Sequence, residues 1–219
     1  MRIRIVEGLE GAREAPGDVV VIDVIRAFTT AAHAFAAGIE EIELVATVEE
    51  ALARPGFRMG EVGGRLVSGF DHNNSPSQLV GRSLKGRAVQ RTGAGTQCAV
   101  AATRAERLWI ASLVVASATA RALAGAEEVT LVVSGSPAEG EEDRACAGLL
   151  EGLLCGSPPR AEDVVRAVRT SRAAGQFRDG DPDRPLADLD CCTAIDAFGI
   201  SMPVERRDGR LFARPRHDP

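Results

Sequence analysis

Tyrosine is absent from this 219-residue chain, tryptophan occurs once, and aromatic residues make up only 4% of it. A core made from such a sequence rests on Ala, Val, Leu and Ile, and the 45% hydrophobic content is enough to fill one large domain. Lysine is nearly missing too: Lys85 is the only one, and the remaining basic residues are arginines. That skew, with abundant Ala and Gly, looks like GC-rich coding and carries no functional message. No apolar run approaches the length that spans a bilayer. The amino terminus, MRIRIVEGLE, lacks the apolar stretch of a signal peptide. The chain therefore reads as a cytoplasmic protein without a membrane partner. A net charge of −5 and a pI near 5.4 argue against a nucleic-acid partner, which would call for a clustered basic face. A local anion site can still exist inside an acidic protein. The five cysteines, Cys98, Cys146, Cys155, Cys191 and Cys192, are an odd number without zinc-type spacing. They read as reduced thiols serving as small core residues.

What is present begins with Val19–Thr30. Four β-branched residues run into Asp23; Arg26 follows three residues later, and Thr29 and Thr30 open an Ala-rich stretch that ends at Gly38. This is the pattern of a buried strand, a short loop and a helix start. In open α/β sheets the carboxyl ends of strands border the ligand crevice. The turn thus offers a carboxylate, a guanidinium, two hydroxyls and free helix N–H groups, a set suited to a metal ion and an anionic ligand.

A weak internal repeat organises the rest. Gly38–Val45 matches Gly125–Val132 at an offset of 87 residues, and the same offset relates the preceding helices, Thr29–Ala37 and Ser117–Ala124, and strands, Val19–Asp23 and Leu108–Ala111. Two β-α-β units sharing a sheet predict an α/β fold, a three-layer α/β/α sandwich in a single domain over residues 1–219. The halves fall at about 18–97 and 98–156, with C-terminal helices and a hairpin over 157–214. Residues 59–97 are rich in Gly, Asn, Ser and Arg, and favour ordered ligand-binding loops. Further on, Ser136–Gly140 reads as a loop, and Cys98–Arg104, Glu142–Leu154, Ala161–Ala174 and Ala187–Phe198 as helices. Arg178–Arg184 reads as a surface loop. Asp208-Gly209 is a good turn between strands Val204–Arg206 and Leu211–Ala213, and the tail after Arg214 reads as frayed.

Carboxylates at element ends are Asp23, Glu61, Asp71, Glu142 and Asp143. A magnesium site needs one to three such oxygens, with water and a substrate phosphate completing the shell. Two alternatives stay open: Asp23 as a helix N-cap, and Glu142 and Asp143 as acids favoured by the helix dipole alone. Anion-binding candidates are Arg26, the Gly63-Gly64-Arg65 turn, Asn73-Asn74-Ser75-Pro76 and Gly93-Ala94-Gly95-Thr96, whose backbone N–H groups can cradle phosphate. No Lys follows the last of these, so it is not a Walker A loop. No second aspartate lies two residues after Asp23, and there is no G-x-S-x-G elbow. Of the three histidines, His33, His72 and His217, no two form a metal-binding pair, but His72 beside Asp71 is a candidate acid or base.

In order along the chain, Val21–Thr30, Gly60–Gly64, Gly69–Pro76, Thr92–Thr96, Ile110–Ser112 and Glu142–Gly148 resemble the motifs of the 2-phosphosulfolactate phosphatase family. The resemblance covers about residues 18–156, with a looser match through Met202-Pro203. It implies a three-layer α/β/α sandwich and a magnesium-dependent phosphatase acting in coenzyme M biosynthesis. Its partner is then a small phosphorylated substrate, and a homo-oligomer is left open. By this resemblance Asp23, Glu61, Glu142 and Asp143 form the acidic metal centre. Arg26, Arg65, Asn74, Ser75 and Thr96 become substrate contacts, beside the hydroxyls of Thr29 and Thr30 and the turn glycines Gly63, Gly64 and Gly95. Asp23, Arg26 and His72 are the expected catalytic groups.

The chain departs from the family pattern at four places. Val62 stands where the family usually has arginine, and Gly93-Ala94-Gly95-Thr96 replaces Thr-Asn-Gly-Thr. Val115 replaces an asparagine, and Val133-Ser134-Gly135 replaces Cys-Ala-Gly. Loss of an arginine removes a bidentate donor suited to phosphate or sulfonate. The leading expectation is a magnesium-dependent phosphomonoesterase for 2-phosphosulfolactate or a related phosphorylated hydroxy acid. The alternative is a catalytically weak or inactive relative that binds a phosphorylated metabolite.

Overall fold

The computed structural model describes residues 1–135 and 139–217. The strands are β1 (Arg2–Glu7), β2 (Gly17–Ile22), β3 (Glu41–Leu44), β4 (Phe57–Val62), β5 (Arg65–Leu66), β6 (Arg87–Arg91), β7 (Ala105–Ala111), β8 (Glu128–Val133), β9 (Ile200–Ser201), β10 (Pro203–Arg207), β11 (Arg210–Ala213) and β12 (Arg216–His217). The helices are α1 (Gly8–Glu14), α2 (Ala27–Ala36), α3 (Val48–Ala53), α4 (Gly95–Ala101), α5 (Ala116–Ala122), α6 (Glu141–Cys155), α7 (Ala161–Arg169) and α8 (Ala187–Cys192). Among the described residues the strands form a ten-stranded sheet in the order β1-β8-β2-β7-β10-β11-β3-β6-β4-β5, and β9 pairs with β12. Helix α1 packs on α4, while α5, α6 and α7 pack in series, so helical layers cover both sides of the sheet. The fold is a three-layer α/β/α sandwich.

The sheet has two parallel blocks. β1, β8, β2 and β7 pair parallel on one side, and β3, β6 and β4 on the other. The β10–β11 hairpin joins them, antiparallel to β7 at one edge and to β3 at the other. Its turn has left-handed φ at Asp208 (51°) and Gly209 (73°), which is the conformation that Asp-Gly favours in tight hairpins. Strands of the two repeated units interleave, with β2 lying between β7 and β8. Val19 to Ile22 are fully buried, as a continuous apolar run in a doubly covered parallel strand requires.

Several elements differ from their expected extents. The helix expected over Ala187–Phe198 ends at Cys192. Asp196 takes a left-handed φ of 56°, and its carboxylate accepts from the Ser117 backbone N–H (2.7 Å) and hydroxyl (2.6 Å). Tertiary bonds to the start of α5 thus override the local helical pattern. The helix expected over Ala161–Ala174 stops at Arg169, and Ala174–Gln176 forms a separate 3-10 turn. Arg216–His217 is not frayed but pairs antiparallel with Ile200–Ser201. Most of the loop expected at Ser136–Gly140 lies outside the described residues. All five cysteines are free; Cys98, Cys146 and Cys192 are buried, whereas Cys155 is exposed.

Candidate functional site

The carboxyl ends of β2, β4 and β6 meet at one cleft. Directly after β2, the Asp23 backbone N–H bonds to the Ala111 carbonyl (3.1 Å), which extends the parallel pairing by one residue. Its side chain is 6% exposed and serves two elements. Oδ1 accepts from the Ala27 N–H (2.9 Å) and Oδ2 from the Gly95 N–H (2.9 Å). Asp23 therefore does satisfy a helix N-terminus, yet the same carboxylate lines the cleft. A Cβ on Gly95 would sit 2.7 Å from Asp23 Oδ2, so only glycine lets that turn approach the acid.

The cleft has two contiguous lobes. The first, about 210 Å³, holds Asp23, Glu142 and Asp143, with Ser134, Arg172 and Gln176 around them. Asp143 opens α6 but is only 2% exposed. Its Oδ1 accepts from the Val24 N–H (2.8 Å), and its Oδ2 from the Ser134 hydroxyl (3.0 Å) and the Gly135 N–H (3.2 Å). Glu142 is 4% exposed, and its Oε2 is buried without a hydrogen-bond partner among the described residues. A helix dipole alone would leave such acids at the surface; here they point inward. Burial, opposed in part by the Ala27 and Gly95 N–H bonds and reinforced by Glu61, pushes Asp23 up to about 6. Burial, then repulsion from Asp23 and Glu141, pushes Glu142 up to about 7. Asp143 is raised well above the usual carboxylate range by burial and by repulsion from Asp23 and Glu142.

The second lobe, about 300 Å³, shares Asp23 with the first and adds Arg26, Glu61, Gly64, Asn74, Thr92, Gly93, Phe177 and Arg184. Glu61, near the end of β4, takes the Gly64 N–H (2.6 Å) on Oε2 and the Gly93 N–H on Oε1, so one acid shapes two glycine turns. Arg26 is 5% exposed. Its Nη1 donates to Asp188 Oδ2 (2.7 Å) and to the Asp183 carbonyl (2.8 Å), and its ring neighbour is Phe177.

Other expected contacts are placed elsewhere. The Thr29 hydroxyl donates to the Val24 carbonyl (2.8 Å), and Thr30 is fully buried with its hydroxyl unpartnered. Thr96 accepts the Thr92 N–H (2.8 Å) on its hydroxyl and staples the glycine turn from within. Ser75 donates to Asp188 Oδ1 (2.8 Å). None of these four residues lines the cleft; the hydroxyls of Thr29, Ser75 and Thr96 brace the structure around it. His72 is 5% exposed, its Nε2 lies 2.9 Å from the Ser75 carbonyl, and burial lowers its pKa. It lies outside both lobes. Gly63 gives its carbonyl to Arg184, and Arg65 is exposed outside the lining.

The residues that sequence reasoning missed come from the C-terminal third. Segment 178–184, expected as a surface loop, is part of the cleft wall, with Arg184 in its lining. Asp183 Oδ1 accepts from Asn73 Nδ2 (2.8 Å) and from the Leu66 N–H (3.1 Å). Asp188, in α8, is fully buried and accepts from Arg26, from the Ser75 hydroxyl, and from the Ser77 N–H (2.9 Å) and hydroxyl (2.5 Å). Its one legible signal was an Asp inside an apolar helical pattern.

Among the described residues, no three His, Cys, Asp or Glu side chains converge as a ready metal cage. Magnesium seldom requires one, since it keeps several waters and takes one or two carboxylates plus substrate phosphate. The unpartnered Glu142 Oε2 beside two further buried carboxylates fits that mode of binding.

The family model described as 2-phosphosulpholactate phosphatase matches residues 3–180. A probable 2-phosphosulfolactate phosphatase of Bacillus subtilis is 35% identical over 209 residues, covering 90% of this chain and 91% of the relative. One from Deinococcus radiodurans is 36% identical over 201 residues, covering 87% and 82%. One from Thermus thermophilus is 39% identical over 163 residues, covering 70% and 68%. The matches indicate a phosphoric monoester hydrolase. The chain belongs to the 2-phosphosulpholactate phosphatase family. No helix among the described residues is long and apolar enough to cross a membrane.

Proposed function

We propose that the protein is a magnesium-dependent phosphatase for 2-phosphosulfolactate or a closely related phosphorylated hydroxy acid. The observation that carries this reading is the first lobe. Asp23, Glu142 and Asp143 are buried together, their pKa values are raised, and Glu142 Oε2 has no partner among the described residues. Ionised carboxylates in that position need a cation. Asp23, Glu142 and Asp143 would hold magnesium, with Glu61 close by across the Gly93 turn. The bound ion supplies positive charge that offsets the charge developing on the phosphoryl oxygens. Asp23 is fixed by two backbone N–H groups, an arrangement that holds a carboxylate in one orientation toward a ligand. The Gly93–Gly95 turn shapes the floor. Arg26 offers the edge of its guanidinium not committed to Asp188, and Arg184 and Asn74 face the same space. His72 is bonded to Ser75 outside the lobes, so protonation of the leaving oxygen falls to a cleft carboxyl or to water.

The test is phosphate release from 2-phosphosulfolactate and from other phosphorylated hydroxy acids, with and without magnesium, in wild type and Asp23→Asn. Turnover that requires magnesium and disappears in the variant supports the reading. Equal turnover after chelation refutes the metal requirement.

A further inference from the structure

Three arginines line the cleft, and they differ in how their charge is matched. Arg26 is paired with buried Asp188 at 2.7 Å, and Arg172 with Glu139 at 3.6 Å. Arg184 has no carboxylate partner among the described residues. Its Nη2 donates to the Gly63 carbonyl (2.5 Å), which leaves Nε and Nη1 without hydrogen bonds to described residues. A guanidinium prefers a planar or tetrahedral oxyanion that it can meet with two parallel donors.

The position of Arg184 is built, not incidental. Asp181 Oδ1 accepts the backbone N–H groups of Asp183 (2.9 Å) and Arg184 (3.2 Å), forming a tight local turn. That turn is pinned to the cleft wall by Asn73 and Leu66 on Asp183, by Arg26 on the Asp183 carbonyl, and by Gln78 on the Pro182 carbonyl (2.9 Å). The guanidinium lies in a cradle at Gly64, where a Cβ would come within 2.3 Å of Nη2 and 2.7 Å of Cζ. Arg184 also lies beyond the span 3–180 that the family model matches.

We propose that Arg184 is a specificity-determining residue that receives a second oxyanion of the substrate, a carboxylate or a sulfonate, while the phosphoryl group occupies the acidic lobe. This rests on the phosphatase reading above. The division of labour follows from charge. The first lobe is rich in carboxylates and, with a cation bound, suits the phosphoryl group. The second lobe carries the unmatched guanidinium and the apolar ring of Phe177, which suit the rest of a small acidic molecule.

The experiment compares wild type, Arg184→Gln and Arg184→Lys on 2-phosphoglycolate, on the phosphate ester of 2-hydroxyethanesulfonate, and on ethyl phosphate, which has no second anion. The readout is the ratio of kcat/KM for each acid-bearing ester to that for ethyl phosphate. The expected result is a fall of about ten- to a hundredfold in this ratio for Arg184→Gln, carried by KM, and a smaller fall for Arg184→Lys. Whichever acid loses more identifies the preferred oxyanion. A ratio unchanged in Arg184→Gln overturns the proposal, because a purely structural role would affect all three esters alike. Thermal stabilisation by sulfoacetate and by malonate gives a second readout that needs no turnover. If no ester is hydrolysed, but either ligand stabilises wild type and not Arg184→Gln, the oxyanion subsite stands and the phosphatase reading falls. Equal stabilisation of both proteins, or none of wild type, overturns the subsite.

Discussion

Two groups of buried acids sit at different parts of the same sheet, and they are treated oppositely. On β3, Glu41 and Glu43 are 3% and 5% exposed, and arginines surround them. Arg87, Arg207 and Arg214 reach Glu41, while Arg54 and Arg210 reach Glu43. In the cleft, Asp23, Glu142 and Asp143 are just as buried, but no arginine pairs with any of them among the described residues. A chain with this much arginine could have neutralised both groups. One group is matched by arginine and the other is not, which separates acids that tie the sheet together from acids left for the cation of the proposed function. Arg26 and Asp188 belong with the matched kind although they lie beside the cleft.

The sharpest way to break this contrast is to unmatch a fully buried pair. Asp188→Ala leaves the Arg26 charge uncompensated and frees Ser75 and Ser77, so a loss of about 3–5 kcal/mol is expected. Thermal denaturation should show a fall in Tm on the order of 10 °C. Next in size is Asp23→Asn, which removes a buried negative charge and, because an amide nitrogen cannot accept, also breaks one of the bonds from the Ala27 and Gly95 N–H groups. Phosphate release should drop about 10²- to 10³-fold, with the overall fold kept in circular dichroism and a modest fall in Tm from the lost N–H bond.

The bare acids also predict how stability depends on pH. Folding raises Glu142 from 4.5 to about 7 and Asp23 from 3.8 to about 6, so the folded state holds protons that the unfolded chain releases. Their contribution is therefore largest below pH 4 and is lost as pH rises through about 7. Without metal, Tm should decline over that window. Magnesium competes with those protons, so its stabilising effect should be several degrees at pH 8 and small at pH 5. An identical magnesium shift at both pH values would place the ion elsewhere. The smallest effect is a pair of opposite signs. Glu43→Gln weakens partly exposed ion pairs and should cost about 1 kcal/mol in chemical denaturation. Glu142→Gln relieves repulsion in the metal-free protein and should gain a similar amount at pH 8.

Much of the site was legible because it is local. Asp23 ends an apolar strand and precedes a helix, and both facts are readable within ten residues. Glu142 and Asp143 stand at a helix start, and Glu61 beside a glycine turn. What was not legible is which way a side chain points in a turn. Thr29, Thr30, Ser75 and Thr96 have the right chemistry for a phosphate, yet all four are buried outside the cleft lining, and the hydroxyls of Thr29, Ser75 and Thr96 hold turns in shape. His72 is similar: beside Asp71 in sequence, it bonds to Ser75 in space. The C-terminal third was the largest omission. Its role comes from folding back over the cleft, and within 178–188 only Asp188, an acid in an apolar helical pattern, hints at that contact.

By itself, the sequence determined the layered α/β architecture, because buried strands and Ala-rich helices alternate at a period that only such layers satisfy. It also determined the chemical character of the first lobe, since strand ends and helix starts deliver their acids to a crevice. The place of the β10–β11 hairpin between two parallel blocks was left to the tertiary structure. So was the gathering of Asp183, Arg184 and Asp188 around Arg26. These depend on contacts between residues about ninety or more positions apart, where pairing energy and burial decide and local propensity has no say.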